Sequence, residues 1–275
     1  NFGHIILVTK TKWDFDLYNI VKEKISSQDK EVKYRILPFY SKKRLQLIEK
    51  IVSVYRDSCD VSAESKKIND FIRDQIKLFS LNPKFIGMYV SFCLRNTELE
   101  SGSNRNVFGR VFENDIVNAI RKYAAEENIE EYSVLLEEVA YDIHFNEKYP
   151  LSSDDLAKLI AKYNEENVMK VNLRNFCDVM IKSKILKEED NFYYFYSNNY
   201  LAYFVAKSLN ARYNNGLQNG ELETIVKNIC FNINGDILLF LSYITSNFTI
   251  LSFIRNQAEQ HMKEWTEFNI DEKNI

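Results

Sequence analysis

The chain has 275 residues, 45% of them hydrophobic and 14% aromatic, with only 7 Gly and 3 Pro. That length allows two or three compact units of the usual ~100–150 residues, and so few turn formers exclude long disordered or low-complexity sections and favour a mainly helical fold. With 36 Lys and Arg against 39 Asp and Glu the formal net charge is -3, so no overall basic field draws the chain to nucleic acid or to an anionic membrane.

No apolar run approaches the ~20 residues of a membrane span; no signal peptide and a cytoplasmic location are expected. Cys59, Cys93, Cys177 and Cys230 form no C-x-x-C pair and no Cys/His cluster; they read as reduced, buried residues and no metal site is expected. The chain opens Asn1-Phe2-Gly3-His4 without Met and enters a strand at once, which is expected of a piece of a longer protein.

Residues 4–8 (HIILV) form a continuous apolar, largely β-branched run that suits a strand buried on both faces of a parallel sheet. A helix at 14–24 and a second strand at 32–37, closed by Pro38, complete what reads as the end of an α/β domain. From Ser41 the period becomes helical. Leu45, Leu47, Ile48, Ile51, Val52 and Tyr55 make one apolar face, and Ile68, Phe71, Ile72, Ile76 and Phe79 make another. Asn82-Pro83 opens a third helix carrying Phe85, Ile86, Met88, Tyr89, Phe92 and Cys93, with proline in the first turn where its missing N–H costs nothing. The Ser- and Asn-rich break at 96–106 is a candidate boundary.

Helices are predicted at 108–127 and 131–145, then at 156–163 behind the capping run Ser152-Ser153-Asp154-Asp155. The stretch 171–209 is the most informative. Leu173, Phe176, Val179, Met180 and Ile185 give a helix one buried stripe; a hairpin with a charged turn at 187–191 follows; Ser197-Asn198-Asn199 then caps a helix bearing Tyr200, Leu201, Phe204, Val205 and Leu209. That pattern looks like the back half of a winged helix. Gly216 and Gly220 flank a polar turn, and helices at 225–231, 236–244 and 248–262 close the chain.

The predicted division is 1–38, the end of an α/β domain; 39–97, a small three-helix domain; 98–212, a domain that looks like a winged helix; and 213–275, a helical extension. The fold class is therefore mainly α, with a sheet remnant at the N-terminus.

Four places in this order resemble the regulatory half of the signal-transducing NTPases with numerous domains, the STAND class, and its NACHT-like bacterial members. Residues 4–10 (HIILVTK) resemble the family strand ending in a Thr-Thr-Arg sensor, with Lys10 at the arginine's position. Leu81-Asn82-Pro83 resembles the Gly-x-Pro motif whose proline packs near adenine, and 108–122 followed by 135–144 resembles the opening helices of the family's winged-helix domain. FYSNNYLAYFVA, residues 195–206, resembles the family's aromatic-x-His stretch running into its Glu-Tyr-Phe-Ala-Ala helix. Two departures are plain: Ser197 stands where many relatives have the phosphate-contacting histidine, and Lys10 offers a point charge in place of a planar fork.

The resemblance implies that 1–38 ends an α/β nucleotide-binding (NTPase) domain and that 39–97 is its lid. It also implies Lys10, Pro83 and Ser197 as nucleotide-contacting residues. Each also has a plain structural reading: a solvated strand end, a helix-opening proline and a helix cap. No glycine is followed by lysine, so the phosphate-cradling G-x-x-x-x-G-K-[ST] loop is missing and the chain is not expected to hydrolyse ATP alone. His4, His144 and His261 stand far apart, and His144, beside Tyr141 and Phe145, reads as a packing residue; no catalytic residue is assigned.

By resemblance, ATP or ADP with Mg would bind the full-length parent, closing this portion on an upstream nucleotide-binding domain. Detection of an unknown ligand or protein would then lead to homo-oligomerisation, antiviral defence being the commonest role among bacterial relatives. The alternative is a non-enzymatic module. It would bind protein partners through aromatics such as Tyr193, Tyr194 and Tyr196, or DNA through Lys170, Arg174, Lys182, Lys184 and Lys187. DNA is the less favoured, because Glu188, Glu189 and Asp190 occupy the wing tip.

Overall fold

A computed structural model describes residues 41–55, 60–75, 83–95, 107–146, 149–215 and 220–263. The chain divides into units 1–38 and 39–275, and all of these residues belong to the second. The elements expected at 4–8, 14–24 and 32–37, together with Lys10, Cys59, Ile76, Phe79 and the break at 96–106, lie outside the described residues.

The described residues are mainly helical with one small antiparallel sheet. Helices α1 (Ser41–Tyr55), α2 (Val61–Gln75) and α3 (Pro83–Arg95) pack on one another through Ile48, Val52, Ile68, Ile72, Phe85 and Ile86. Tyr55, expected on the buried face, is 60% exposed, because α1 ends at that residue and its last turn projects past the stripe set by Ile48 and Val52. One turn before Ile48 stands a buried cation, Arg44, whose Nε donates to Asn69 Oδ1 at 2.7 Å. Burial lowers its pKa.

Helix α4 (Val107–Arg121) stops short of the predicted residue 127. The Tyr123 and Ala124 N–H groups both turn back to the Ile120 carbonyl, at 2.9 and 3.0 Å, and Arg121 folds onto Glu126 in a two-pronged pair. A short 3-10 turn at Glu126–Asn128 leads into α5 (Ile129–Phe145).

Next come β1 (Leu151–Ser152), α6 (Ser153–Glu166), α7 (Leu173–Lys182), β2 (Leu186–Glu189), β3 (Phe192–Phe195) and α8 (Asn198–Asn214). The strand order is β1-β3-β2, with Leu186 opposite Phe195 and Leu151 opposite Tyr193. Asp190 and Asn191, both at positive φ, make the tight turn whose twist suits a hairpin. The two-residue β1 was not expected. Ser152 ends it and caps α6 at once, its Oγ accepting from the Asp155 N–H and donating to the Asp155 carboxylate.

Ile185, placed in the helical stripe by its spacing, lies beyond the helix. It sits over Met180 because α7 closes in a Schellman motif: the Ile185 N–H donates to the Met180 carbonyl and the Lys184 N–H to that of Ile181, both at 3.0 Å, with Lys184 at φ 58. Leu173, expected in the same stripe, is 37% exposed, since it is the first residue of α7 and precedes the turn that packs.

The last helices are α9 (Gly220–Lys227), α10 (Asn234–Ile244) and α11 (Phe248–Met262). The helix predicted at 225–231 thus begins at Gly220, expected in a turn, and ends four residues early. Asn232 takes positive φ there, the Asn234 side chain donates to the Asn228 carbonyl, and Gly235 admits the Ile229 carbonyl where a Cβ would lie 3.3 Å from it. Phe231 is left exposed, as is Cys230, against the expectation that it is buried, whereas Cys93 and Cys177 are buried as expected. Helix α8 packs on α5 and α10, and buried residues from Ile48 to Ile250 form one continuous core.

Candidate functional site

Two of the three residues singled out as nucleotide contacts stand at helix starts whose first-turn side chains touch. Pro83 is the first residue of α3, and Ser197 caps α8, its side chain accepting from the Tyr200 N–H at 3.3 Å. Their neighbours complete the joint. Lys84 Nζ donates to the Tyr200 hydroxyl at 3.0 Å and lies 4.6 Å from that ring's centroid, while the hydroxyl is hydrogen-bonded to the Asp115 carboxylate on α4. Lys10 lies outside the described residues.

The electrostatics follow from depth. Burial raises the Asp115 pKa, and Lys84, the Tyr200 hydroxyl and Lys122 pull it back part of the way. Burial likewise raises the Tyr200 phenol, with Lys84 opposing. The cation is thus needed where it stands: without Lys84, a partly buried carboxylate and a buried phenol would lose their charge partner. Beneath them Phe112 of α4 meets the rings of Phe85, Tyr200, Tyr203 and Phe240, at centroid distances of 6.1, 5.6, 5.2 and 4.9 Å.

Lys84 and Asp115 were not singled out from the sequence, and Tyr200 was read only as one of the packing residues of its helix. Lys84 and Tyr200 are 116 residues apart. The one local signal was a lysine in the first turn of a helix, where the positive dipole end disfavours a cation that has no other partner.

A second polar network ties α4, α5, α8 and α9. Lys207 pairs with Glu113 at 3.0 Å and Glu137 at 3.2 Å, and Arg212 pairs with Glu138 at 2.6 Å while lying over the Tyr141 ring. The Tyr141 hydroxyl donates to Glu221. Burial works to lower the Lys207 pKa, but Glu137 and Glu113 outweigh it and hold it above the ordinary value. Burial and the Glu221 carboxylate push the Tyr141 phenol up to about 12. His144 lies edge-on against Phe145, 4.8 Å between centroids, and burial lowers its pKa, with the Asn234 amide in partial opposition.

The basic residues noted around α7 are largely engaged. Lys170 reaches the Asn164 and Asn167 carbonyls, Lys182 pairs with Asp178 at 3.8 Å, and Lys187 pairs with Glu189 at 2.7 Å. Of the tyrosines proposed as a contact patch, Tyr193 and Tyr194 are half-buried and Tyr196 is exposed. Among the described residues no His, Cys, Asp and Glu cluster could hold a metal ion, and no helix is long and apolar enough to cross a membrane.

The segment from β1 into α8 carries the deciding comparison. Residues 149–205 match the family model Novel STAND NTPase 4. The STAND match covers the capped α6, α7, the hairpin and the first half of α8, with Ser197 and Tyr200 inside it. The resemblance to STAND-class NTPases is therefore met over this segment. No curated protein and no solved structure matches the chain.

Proposed function

We propose that this chain is the lid, winged-helix and first C-terminal portion of a STAND-type NTPase switch. The helix, strand, helix, helix and hairpin order of α5 through β3 supports the winged-helix reading. The observation that carries the switch is the Lys84–Tyr200–Asp115 tie, which links a first-turn side chain of α3 to a first-turn side chain of α8. A helix N-terminus carrying a lysine in its first turn, as α3 does with Lys84, favours an anionic group, the chemistry of a nucleotide's phosphates. Ser197 acts as cap there, and Lys84 supplies the positive charge that the family's histidine supplies in relatives.

Mg and the P-loop belong to the upstream nucleotide-binding domain, and this portion closes on ATP or ADP held there. A hydrogen bond to a charged group contributes about 1.5–3 kcal/mol, and 1.4 kcal/mol is a factor of ten in an equilibrium. The tie is thus strong enough to favour the closed state and weak enough for a sensor ligand's differential affinity to release it. Release would expose surfaces for homo-oligomerisation in the cytoplasm, in the service of antiviral defence.

The test is ADP binding by the longest product of the gene, followed by its mass in ATP. Saturable ADP binding, weakened at least tenfold by Lys84→Ala, and a larger assembly in ATP for Tyr200→Phe are expected. A product that binds no nucleotide overturns the reading. The second reading, a protein-binding module, is favoured over DNA by the exposed Val168, Met169 and Leu173 beside α7 and by the acids at the hairpin tip.

A further inference from the structure

Between α3 and α4 lies a cleft of about 490 Å3, within the usual range of small-molecule sites. Its walls are written at helical spacing. Gly87, Ser91 and Arg95 recur every fourth residue along α3, and Asn114 and Asn118 do so along α4 with Lys122 one residue past its end, so each wall runs from small or amide side chains to a cation.

Gly87 is the informative residue. A glycine inside a helix is destabilising relative to alanine, yet a Cβ at Gly87 would meet nothing within 4 Å. Packing within the described residues therefore does not call for a glycine there; the space it leaves opens into the cleft. Cation chemistry supplies the second observation. Arg121, also at the rim, is neutralised by Glu126, whereas Arg95 and Lys122 line the cleft from opposite walls, Lys122 also acting electrostatically on the Asp115 carboxylate. Asp115 at the cleft is engaged through Tyr200 with Lys84.

We propose that this cleft binds a small anionic ligand, a phosphate- or carboxylate-bearing molecule. Arg95 and Lys122 hold its charge, the Asn114 and Asn118 amides hydrogen-bond its polar body, and its edge lies against the backbone at Gly87. The site lies along the length of α3 and α4, whereas the Pro83–Ser197 joint lies at helix starts, and it needs neither an upstream domain nor the switch reading. Because Asp115 lines it and also belongs to the tie, occupancy would bear directly on how α3 is held to α8.

The experiment is calorimetric titration of this chain, without magnesium, with inorganic pyrophosphate, citrate and AMP, which separates a phosphate source of the charge from a carboxylate one. At least one probe is expected to bind saturably. Its affinity should fall tenfold or more in the double variant Arg95→Ala, Lys122→Ala and in Gly87→Leu, which projects a branched side chain from α3 into the cleft while keeping a good helix former, and should be unchanged in Arg174→Ala on α7. Circular dichroism confirms that each variant is folded. No saturable binding of any probe, or binding that the cleft variants leave unchanged, overturns the proposal. Failure here leaves the ADP test on the longest product standing, and the reverse holds too.

Discussion

Helices α7 and α8 are neighbours in the chain, both capped by a side-chain oxygen, Asn172 for one and Ser197 for the other, yet they use their surfaces in opposite ways. α7 buries one stripe, Phe176, Cys177, Val179 and Met180, and leaves the rest to solvent. α8 is buried all round from Tyr200 to Ala206, against α5 on one side and α10 on another. A helix with an open face is free to meet a partner. A helix covered on every side cannot shift without disturbing each element that touches it, which makes α8 the element suited to relay a change and α7 the one suited to present a surface.

The contrast can be broken at its strongest point by Phe204→Ala, in the fully buried middle of α8. Truncating such a ring costs about 3–5 kcal/mol, and urea unfolding should show a loss of that size. Lys207→Met tests the polar flank of the same helix. It leaves Glu137, whose side chain is 12% exposed, without its cation, and since Lys207 keeps some solvent contact the loss should be about 2 kcal/mol. That deficit should shrink from pH 8 toward pH 5, because a carboxyl raised in the folded state binds its proton there before the unfolded chain does.

Tyr141→Phe refines the comparison with a sign. It loses the hydrogen bond to Glu221 and should cost about 1 kcal/mol at pH 9. The wild-type phenol titrates near its ordinary 10 when unfolded and at about 12 when folded, so its contribution is complete below pH 10 and lost by pH 12. The gap between the two proteins, read from urea midpoints, should therefore close across that interval. At the far end of the scale, Lys182→Ala on the open face of α7 removes a 3.8 Å pair between exposed side chains. Its effect on stability should stay within about 0.5 kcal/mol.

Much of the architecture could be read from residues that act locally. Pro83 opens a helix because of its own ring, Ser152 and Ser197 cap because of their own oxygens, and the charged turn between two apolar runs is a hairpin wherever it stands. Signals that need a distant partner were silent. A strand of two residues has no period to detect, so β1 emerged only from its pairing with β3. Arg44 reads as a surface cation until Asn69 is placed against it, and Tyr55 and Cys230 read as buried until the helices are seen to end.

The site divides the same way. Pro83 and Ser197 were legible as residue types at helix starts, while the Lys84–Tyr200–Asp115 tie was not, because its members come from α3, α8 and α4 and no local pattern links them.

Phe112 shows what this means for how the molecule would yield under load. Its ring has aromatic neighbours on three other helices, α3, α8 and α10. Pulling one of those helices straight away would strip only its own contacts. Rolling α4 about its axis would drag on all three together, like a pinion meshed with three wheels, so torque on α4 is the disturbance this core would spread farthest.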